Sequence, residues 1–334
     1  MRRQQAEQAE QVEQVEQRLM ERTMSESIFD LRTFAQRLRD SGEFRVYERF
    51  HPRRDWPTDS SAETRRAVLA DAETTGLNSD RDAVIQLAIC PFEYTPDGVI
   101  VFAGLCQTWR EDPGRPLDPK ITRLTGLTDA DLVGQRIDDA AVNALADPAV
   151  LVVAHNAAFD RPFLEKRLPL FAEKNWGCSW KDVPWEAQGL TSQKLEWLME
   201  RFCGKFYQAH DATEDCEVLV ELLATRLPSD GRPVLAALLE NARQPRVRLW
   251  ATRSLFDSKD TLKDRGYQFS RGTAQVGNCW YRDLSKADLA DELEWLKPNA
   301  YGGADGTVQV TELLPTIRSS SRIMNSPMVP RQLP

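Results

Sequence analysis

The chain has 334 residues, 41% of them hydrophobic, with 43 Lys+Arg against 51 Asp+Glu and a formal net charge of −8. That length suits one full-sized domain plus a smaller one, and the acidic balance excludes a protein that coats nucleic acid through global basic charge. No apolar stretch approaches membrane-spanning length, and three His with six scattered Cys, none in a C-x-x-C pair, speak against a structural zinc site.

Of Cys90, Cys106, Cys178, Cys203, Cys216 and Cys279, several lie in apolar runs and read as small buried hydrophobes of a reducing compartment. The N-terminal stretch is too polar for a secretory signal, so the expectation is a soluble, cytoplasmic chain. Charge is uneven: residues 243–334 hold 14 Lys+Arg and 10 Asp+Glu, a local +4, which leaves −12 for residues 1–242.

Residues 1–23 read as a polar helix or loose tail, with Val12, Val15 and Leu19 at heptad-like spacing for about one heptad only. Ser27 opens a better helix, with Ile28, Leu31, Phe34, Ala35 and Leu38 on one apolar face expected to dock on the main domain. Residues 55–63 are polar, contain Pro57 and read as a linker. Residues 67–73 form a strand that stops at Thr74-Thr75-Gly76-Leu77. Two further strands, 83–94 and 99–109, join through Pro96-Asp97-Gly98 as a hairpin. Residues 119–132 read as helix with a break at Gly126, and 149–154 as a buried strand. Helical periods cover 158–168, 192–203 and 212–227.

After Pro228-Ser229-Asp230-Gly231 the register changes. A short helix (234–242), strands (247–251, 277–282) and helices (260–264, 287–296) predict a small module. Its Trp250, Trp280, Tyr281 and Trp295 read as core before they read as base-stacking groups. Lys259, Lys263 and Arg265 suit either a solvated helix face or phosphate contacts. The expected fold is α/β, a mixed sheet flanked by helices with a small C-terminal α+β module. The expected boundaries are a 1–60 helical extension, a 61–230 domain, a 231–315 accessory module and a 316–334 flexible tail.

The chemistry lies in three short clusters. Asp71 and Glu73 end an apolar strand and, spaced i, i+2, point to one face of it. Asp160 closes His155-Asn156-Ala157-Ala158-Phe159-Asp160 where a strand passes into a helix. His210 and Asp215 bracket the start of another helix. Carboxylates beside buried residues are costly unless compensated. Two divalent ions bound to phosphate supply that compensation, and hard oxygen ligands suit Mg²⁺ or Mn²⁺. Histidine is the side chain most often used as a general base, and His210 suits that role. His155 reads as a structural hydrogen-bonding group instead.

These residues resemble a known family. Asp71-Ala72-Glu73-Thr74-Thr75-Gly76-Leu77, then His155 to Asp160, then His210-x4-Asp215 are similar, in order, to the three motifs of the DEDDh 3′–5′ exonucleases. That group contains the proofreading epsilon subunit of DNA polymerase III. The resemblance covers residues 65–227, and Leu124-Thr125-Gly126-Leu127-Thr128 extends it. It implies a ribonuclease H-like fold, with Asp71, Glu73, Asp160 and Asp215 ligating two Mg²⁺ or Mn²⁺ ions and His210 as general base. It further implies that Thr74, Thr75, Gly76 and Leu77, with Asn156 and Phe159, hold the 3′-terminal nucleotide. The implied partner is a nucleic-acid 3′ end, DNA ahead of RNA. A low-activity binding module, a polymerase association and a homodimer stay open.

Leu249-Trp250-Ala251 with Lys259-Asp260-x-Leu262-Lys263-x-Arg265-Gly266-Tyr267 looks like a C-terminal extension of some bacterial members. Two positions depart from the pattern. Asp211 stands where the third motif often has Arg, and Ala72 where the first often has a β-branched residue. The subgroup that uses Tyr needs it four residues before the last Asp, where this chain has Asp211.

Overall fold

A computed structural model describes residues 30–57, 63–272 and 275–334; the polar segment expected over 1–23 lies outside them. The chain divides into two compact units, residues 1–49 with 204–206, and residues 50–203 with 207–334.

In the first unit, α1 covers residues 30–40. β1 (Glu48–Arg49) pairs in parallel with Lys205–Phe206. Arg39 of α1 pairs with Glu48 of β1 at 2.8 Å. Leu31 and Phe34 on the apolar face of α1 are mostly exposed.

The second unit starts from strands whose apolar content explains their burial. They are β2 (Arg65–Thr74), β3 (Val84–Tyr94), β4 (Ile100–Ala103) and β5 (Gln107–Arg110). The run expected as one strand over 99–109 is split at Gly104. Its N–H donates to the Pro91 carbonyl at 2.8 Å, and a Cβ there would lie 2.9 Å from Pro91 Cγ. Cys90 and Cys106, expected as free small hydrophobes, are joined by a disulfide across this break.

Next come α2 (Pro119–Thr125), α3 (Asp129–Leu132), α4 (Asp139–Ala146), β6 (Leu151–Ala154), α5 (Ala157–Arg167), α6 (Leu170–Glu173) and β7 (Trp176–Cys178). Gly126 ends α2 in the left-handed region, φ 73°, which glycine adopts without a Cβ clash. The helix expected over 192–203 is α7 (Leu195–Leu198) continued by a π-turn, Met199–Cys203. β8 is Lys205–Phe206 of the first unit, followed by α8 (Ala212–Ala224) and α9 (Val234–Arg243).

The main sheet runs β4-β3-β2-β6-β7, with β5 also on β3. β2 is antiparallel to β3 and parallel to β6, and β6 is parallel to β7. This is the expected mixed sheet flanked by helices. Alternation along β2 sends Ala67 and Leu69 into a core shared with α8 and α9, and Val68, Ala70 and Ala72 into a core shared with α4 and α5. α9 therefore packs in the core of the main domain, through Leu235 and Leu238, and not in the accessory module to which its position in the sequence assigned it.

The remaining elements are β9 (Arg246–Ala251), α10 (Lys259–Asp264), β10 (Gln268–Ser270), β11 (Cys279–Ser285), α11 (Leu289–Ala300), β12 (Thr307–Glu312) and β13 (Val329–Gln332). They form an antiparallel sheet, β10-β11-β9-β12-β13. Trp250 is fully buried and donates from Nε1 to Thr311 Oγ1 at 3.0 Å, as its reading as core requires. Residues 316–334 are not the flexible tail expected: they carry a 3₁₀ turn (Ser321–Asn325) and β13, and bury Ile323 and Leu333.

Candidate active site

β2 sets the first two carboxylates. Asp71 and Glu73 continue the side of the strand begun by Ala67 and Leu69, and a register shift after Glu73 ends regular pairing with β3. α8 brings the third. One carboxylate oxygen from each of Asp71, Glu73 and Asp215 falls within 4.8 Å of the others. α5 brings the fourth. Asp160, 2% exposed, accepts from the Ala72 N–H at 3.2 Å, so it is tied to the backbone between Asp71 and Glu73.

Burial and mutual repulsion push protons onto this cluster. Glu73 is raised to about 8, first by burial and then by Asp215 and Asp160. Asp160 is raised to about 8 by burial, against the Ala72 N–H that lowers it. Asp215 reaches about 6, again chiefly by burial. Asp71 is raised well above the usual carboxylate range by burial, Asp160 and Asp215. A group of four acids that cannot all ionise alone has the character of a cation site.

Two helix starts are held in unusual backbone geometry. Asn156, which precedes α5, and His210, which precedes α8, both have φ 72°. For a residue with a Cβ this costs about 1–2 kcal/mol and gathers at functional sites. His210 presents its side chain to solvent while its N–H donates to Asp215 Oδ2 at 2.9 Å. Tyr207 donates from its hydroxyl to Asp215 Oδ1 at 2.8 Å. Sequence reasoning missed Tyr207; its one signal was an aromatic hydroxyl three residues before His210.

Asp211, the departure from the family pattern, caps α8. Its Oδ1 accepts from the N–H groups of Thr213 and Glu214, both at 3.0 Å, and Gln86 Nε2 approaches its Oδ2 at 3.4 Å. The negative charge sits at the positive end of the helix dipole. Asp211→Ala should therefore cost about 1 kcal/mol of stability, read as a lower denaturation midpoint in urea at unchanged slope. An Arg here would remove the same cap.

His155 is used structurally, as expected. Its Nδ1 meets Ser179 Oγ and its Nε2 donates to the Gln193 carbonyl, each at 2.8 Å. Burial lowers it to about 4, so it stays neutral.

A cavity of about 420 Å³ opens over the four carboxylates. Of the residues expected to hold a nucleotide, Thr74, Gly76, Leu77, Asn156 and Phe159 line it. Thr75 does not. Its hydroxyl accepts from the Ala83 N–H and from Arg115, both at 3.0 Å, and so fixes the loop after β2. At Gly76 the Asp82 carboxylate packs so closely that a Cβ would lie 2.5 Å from its oxygen. Ile121, Leu124, Trp180 and Lys194 also line the cavity and were not read from the sequence as site residues. Leu77 is 88% exposed, an apolar side chain held at the mouth.

Residues 68–223 match the family described as RNase_T, Exonuclease. The DNA polymerase III subunit epsilon of Treponema pallidum (strain Nichols) is 28% identical over 166 residues, covering 47% of this chain and 74% of that protein. A PolC-type DNA polymerase III of Streptococcus pyogenes serotype M1 is 34% identical over 113 residues, covering 32% of this chain but only 7% of that polymerase. Among solved structures, the zinc-bound E. coli ExoI–ssDNA complex has a TM-score of 0.44 at 15% identity, covering 66% of this chain and 63% of that one. Exonuclease X in complex with 5′-overhanging duplex DNA has a TM-score of 0.36 at 17% identity, covering 53% and 99%. Over residues 68–223, where the helix-flanked mixed sheet and the clustered acids lie, the chain is similar to the RNase T exonuclease family.

Proposed function

We propose that this chain is a metal-dependent 3′–5′ exonuclease acting on DNA and releasing 5′-mononucleotides. The observation that carries the reading is the convergence of Asp71, Glu73 and Asp215 within 4.8 Å, with Asp160 fixed on the Ala72 amide. The choice of DNA is supported by relatives that are parts of DNA polymerases.

The donor set fits Mg²⁺ or Mn²⁺: all its ligands are carboxylate oxygens, and their repulsion is what a cation relieves. Asp71, Glu73, Asp160 and Asp215 would hold two such ions, which lower the pKa of water and stabilise charge on phosphate oxygens. His210 takes the proton from the attacking water; its exposed ring and left-handed backbone hold it at the rim, where a terminal phosphate enters. Tyr207 orients Asp215. Leu77, Leu124 and Phe159 offer an apolar wall for the terminal base, and Lys194 a cation for its phosphate.

A ladder assay with 5′-labelled DNA and RNA strands, in Mg²⁺, Mn²⁺ and EDTA, tests this. DNA should shorten stepwise from its 3′ end with either ion and stay intact in EDTA. His210→Gln should slow this by about 10²–10⁴-fold. Immediate release of the 5′ label would overturn the polarity, and faster loss of RNA would move the substrate to RNA.

A further inference from the structure

A second cavity, of about 280 Å³, lies where the loop after β7 meets β9, β11 and the C-terminal segment. Five cationic side chains line it: Lys181, Arg246, Arg248, Arg282 and Arg318. Only two carboxylates do, Asp182 and Asp283, a surplus of three positive charges. Strand register creates part of this. Arg248 on β9 stands opposite Asp283 on β11, and Arg246 follows on the same face of β9.

The carboxylates are already engaged. Asp283 takes a forked contact from Arg248 at 2.6 and 2.9 Å. Asp182 accepts from the Cys178 N–H at 2.8 Å and faces Arg318 at 3.5 Å. Arg282 is held by Glu292, which does not line the cavity. Among the described residues neither Lys181 nor Arg246 forms an ion pair, and Arg246 reaches only the Asp283 carbonyl, at 3.5 Å.

Arg318 is the decisive group. It is 7% exposed. Its two terminal nitrogens reach the carbonyls of Asn241 and Gln244 at 3.4 and 3.1 Å. Its buried Nε has no hydrogen-bond partner among the described residues. A buried guanidinium with an unpaired donor is a costly cation, and an anion in the adjoining cavity offsets its charge.

We propose that this cavity is a binding site for a phosphate group. A surplus of three charges calls for more than one negative charge, and guanidinium and ammonium groups from separate elements match the several oxygens of a tetrahedral anion. The volume admits one phosphate with its sugar. Two sources share this chemistry: a phosphate within a nucleic-acid strand, or a free phosphomonoester. Both cavities abut the start of α5 and the loop after β7, through Ala158 and Lys181 here and Phe159 and Trp180 there. The strand source rests on the exonuclease reading; the phosphomonoester source does not.

The test uses the full chain in EDTA, so that no hydrolysis intervenes. Inorganic phosphate and a 5′-mononucleotide are titrated by calorimetry, and 5′-fluorescein thymidine oligomers of about three and about twelve nucleotides by anisotropy. The wild type is compared with Lys181→Gln/Arg246→Gln and with Lys181→Gln alone, each checked for an unchanged melting temperature. If the site holds a phosphomonoester, the double variant weakens phosphate or mononucleotide binding at least about tenfold. If it holds a strand, the double variant weakens the twelve-mer by that factor, leaves the three-mer unchanged and lowers the salt slope by about one to two. Lys181→Gln alone gives a smaller loss of the same kind. Equal affinity of wild type and double variant for all four ligands overturns the proposal. Loss of hydrolysis with Asp71→Asn alongside intact phosphate binding keeps this site distinct from the exonuclease reading.

Discussion

Asp71→Asn should reduce nucleolytic turnover by at least about a thousandfold while making the metal-free protein more stable at pH 8. The first effect follows from removing a ligand at the centre of the carboxylate group, where charge stabilisation in a transition state is worth several kcal/mol. The second follows from linkage. Glu73 and Asp160 are raised to about 8, Asp215 to about 6 and Asp71 well above its ordinary value. In the unfolded chain the same groups titrate near 4. Between about pH 4 and pH 8 the native state therefore binds more protons than the unfolded state, so stability falls as pH rises through that window. Asparagine keeps the shape and deletes one of the repelling charges. In EDTA at pH 8 its melting temperature should exceed the wild type's by about 3–5 °C, with the gap closing toward pH 5. A variant that melts lower at pH 8 and still cuts would contradict both halves. The combination marks a functional site, because an acid placed for stability would lose stability when neutralised.

Arg161→Met should cost about 3–5 kcal/mol of stability. Arg161 follows Asp160 directly and is fully buried. Its Nε pairs with Glu165 at 2.6 Å. Its terminal nitrogens reach the carbonyls of Pro315 at 3.2 Å, Arg318 at 2.5 Å, Lys174 at 3.5 Å, and Thr316. Burial lowers the guanidinium to about 10, so it remains charged at neutral pH. Methionine would fill the volume but leave the Arg318 and Lys174 carbonyls without this donor, while the Pro315 and Thr316 carbonyls keep the Trp176 N–H and Arg322. The same contacts hold residues 315–318 against α5, so proteolysis near the C-terminus should accelerate in the variant. Unchanged urea denaturation would show that the guanidinium contributes little net energy.

The parts legible in the sequence are those with a period or a local rule. Asp71 and Glu73 read as one pair because strand periodicity places i and i+2 on one face, and that face emerges from a core strand. Asp211 carries a local rule as well: an Asp immediately before Ala-Thr-Glu and an apolar helix is an N-cap signal. Tyr207 lay beyond this reasoning because it sits in irregular chain, where no spacing predicts that its hydroxyl reaches Asp215.

β13 failed for a specific reason. Pro330 reads as a breaker, yet it occupies an edge strand, opposite Gln309, where a missing N–H is tolerated. Ser and Pro content alone therefore suggested a loose tail. α9 failed because a turn before it looked like a domain boundary, whereas its apolar stripe fits the main sheet. The arginine cavity could not be read at all. Lys181, Arg246 and Arg318 are far apart along the chain, and only the meeting of two sheets puts their charges in one place.

Everything proposed for the site depends on divalent ions held by the four carboxylates. Calorimetric titration of Mn²⁺ into the metal-free protein at pH 6, 7 and 8 tests it most directly. Two ions per chain are expected, with affinity that rises with pH as protons leave Glu73 and Asp160, and with loss of at least one ion in Asp71→Asn. Binding that is absent, independent of pH, or the same in Asp71→Asn as in the wild type would contradict it.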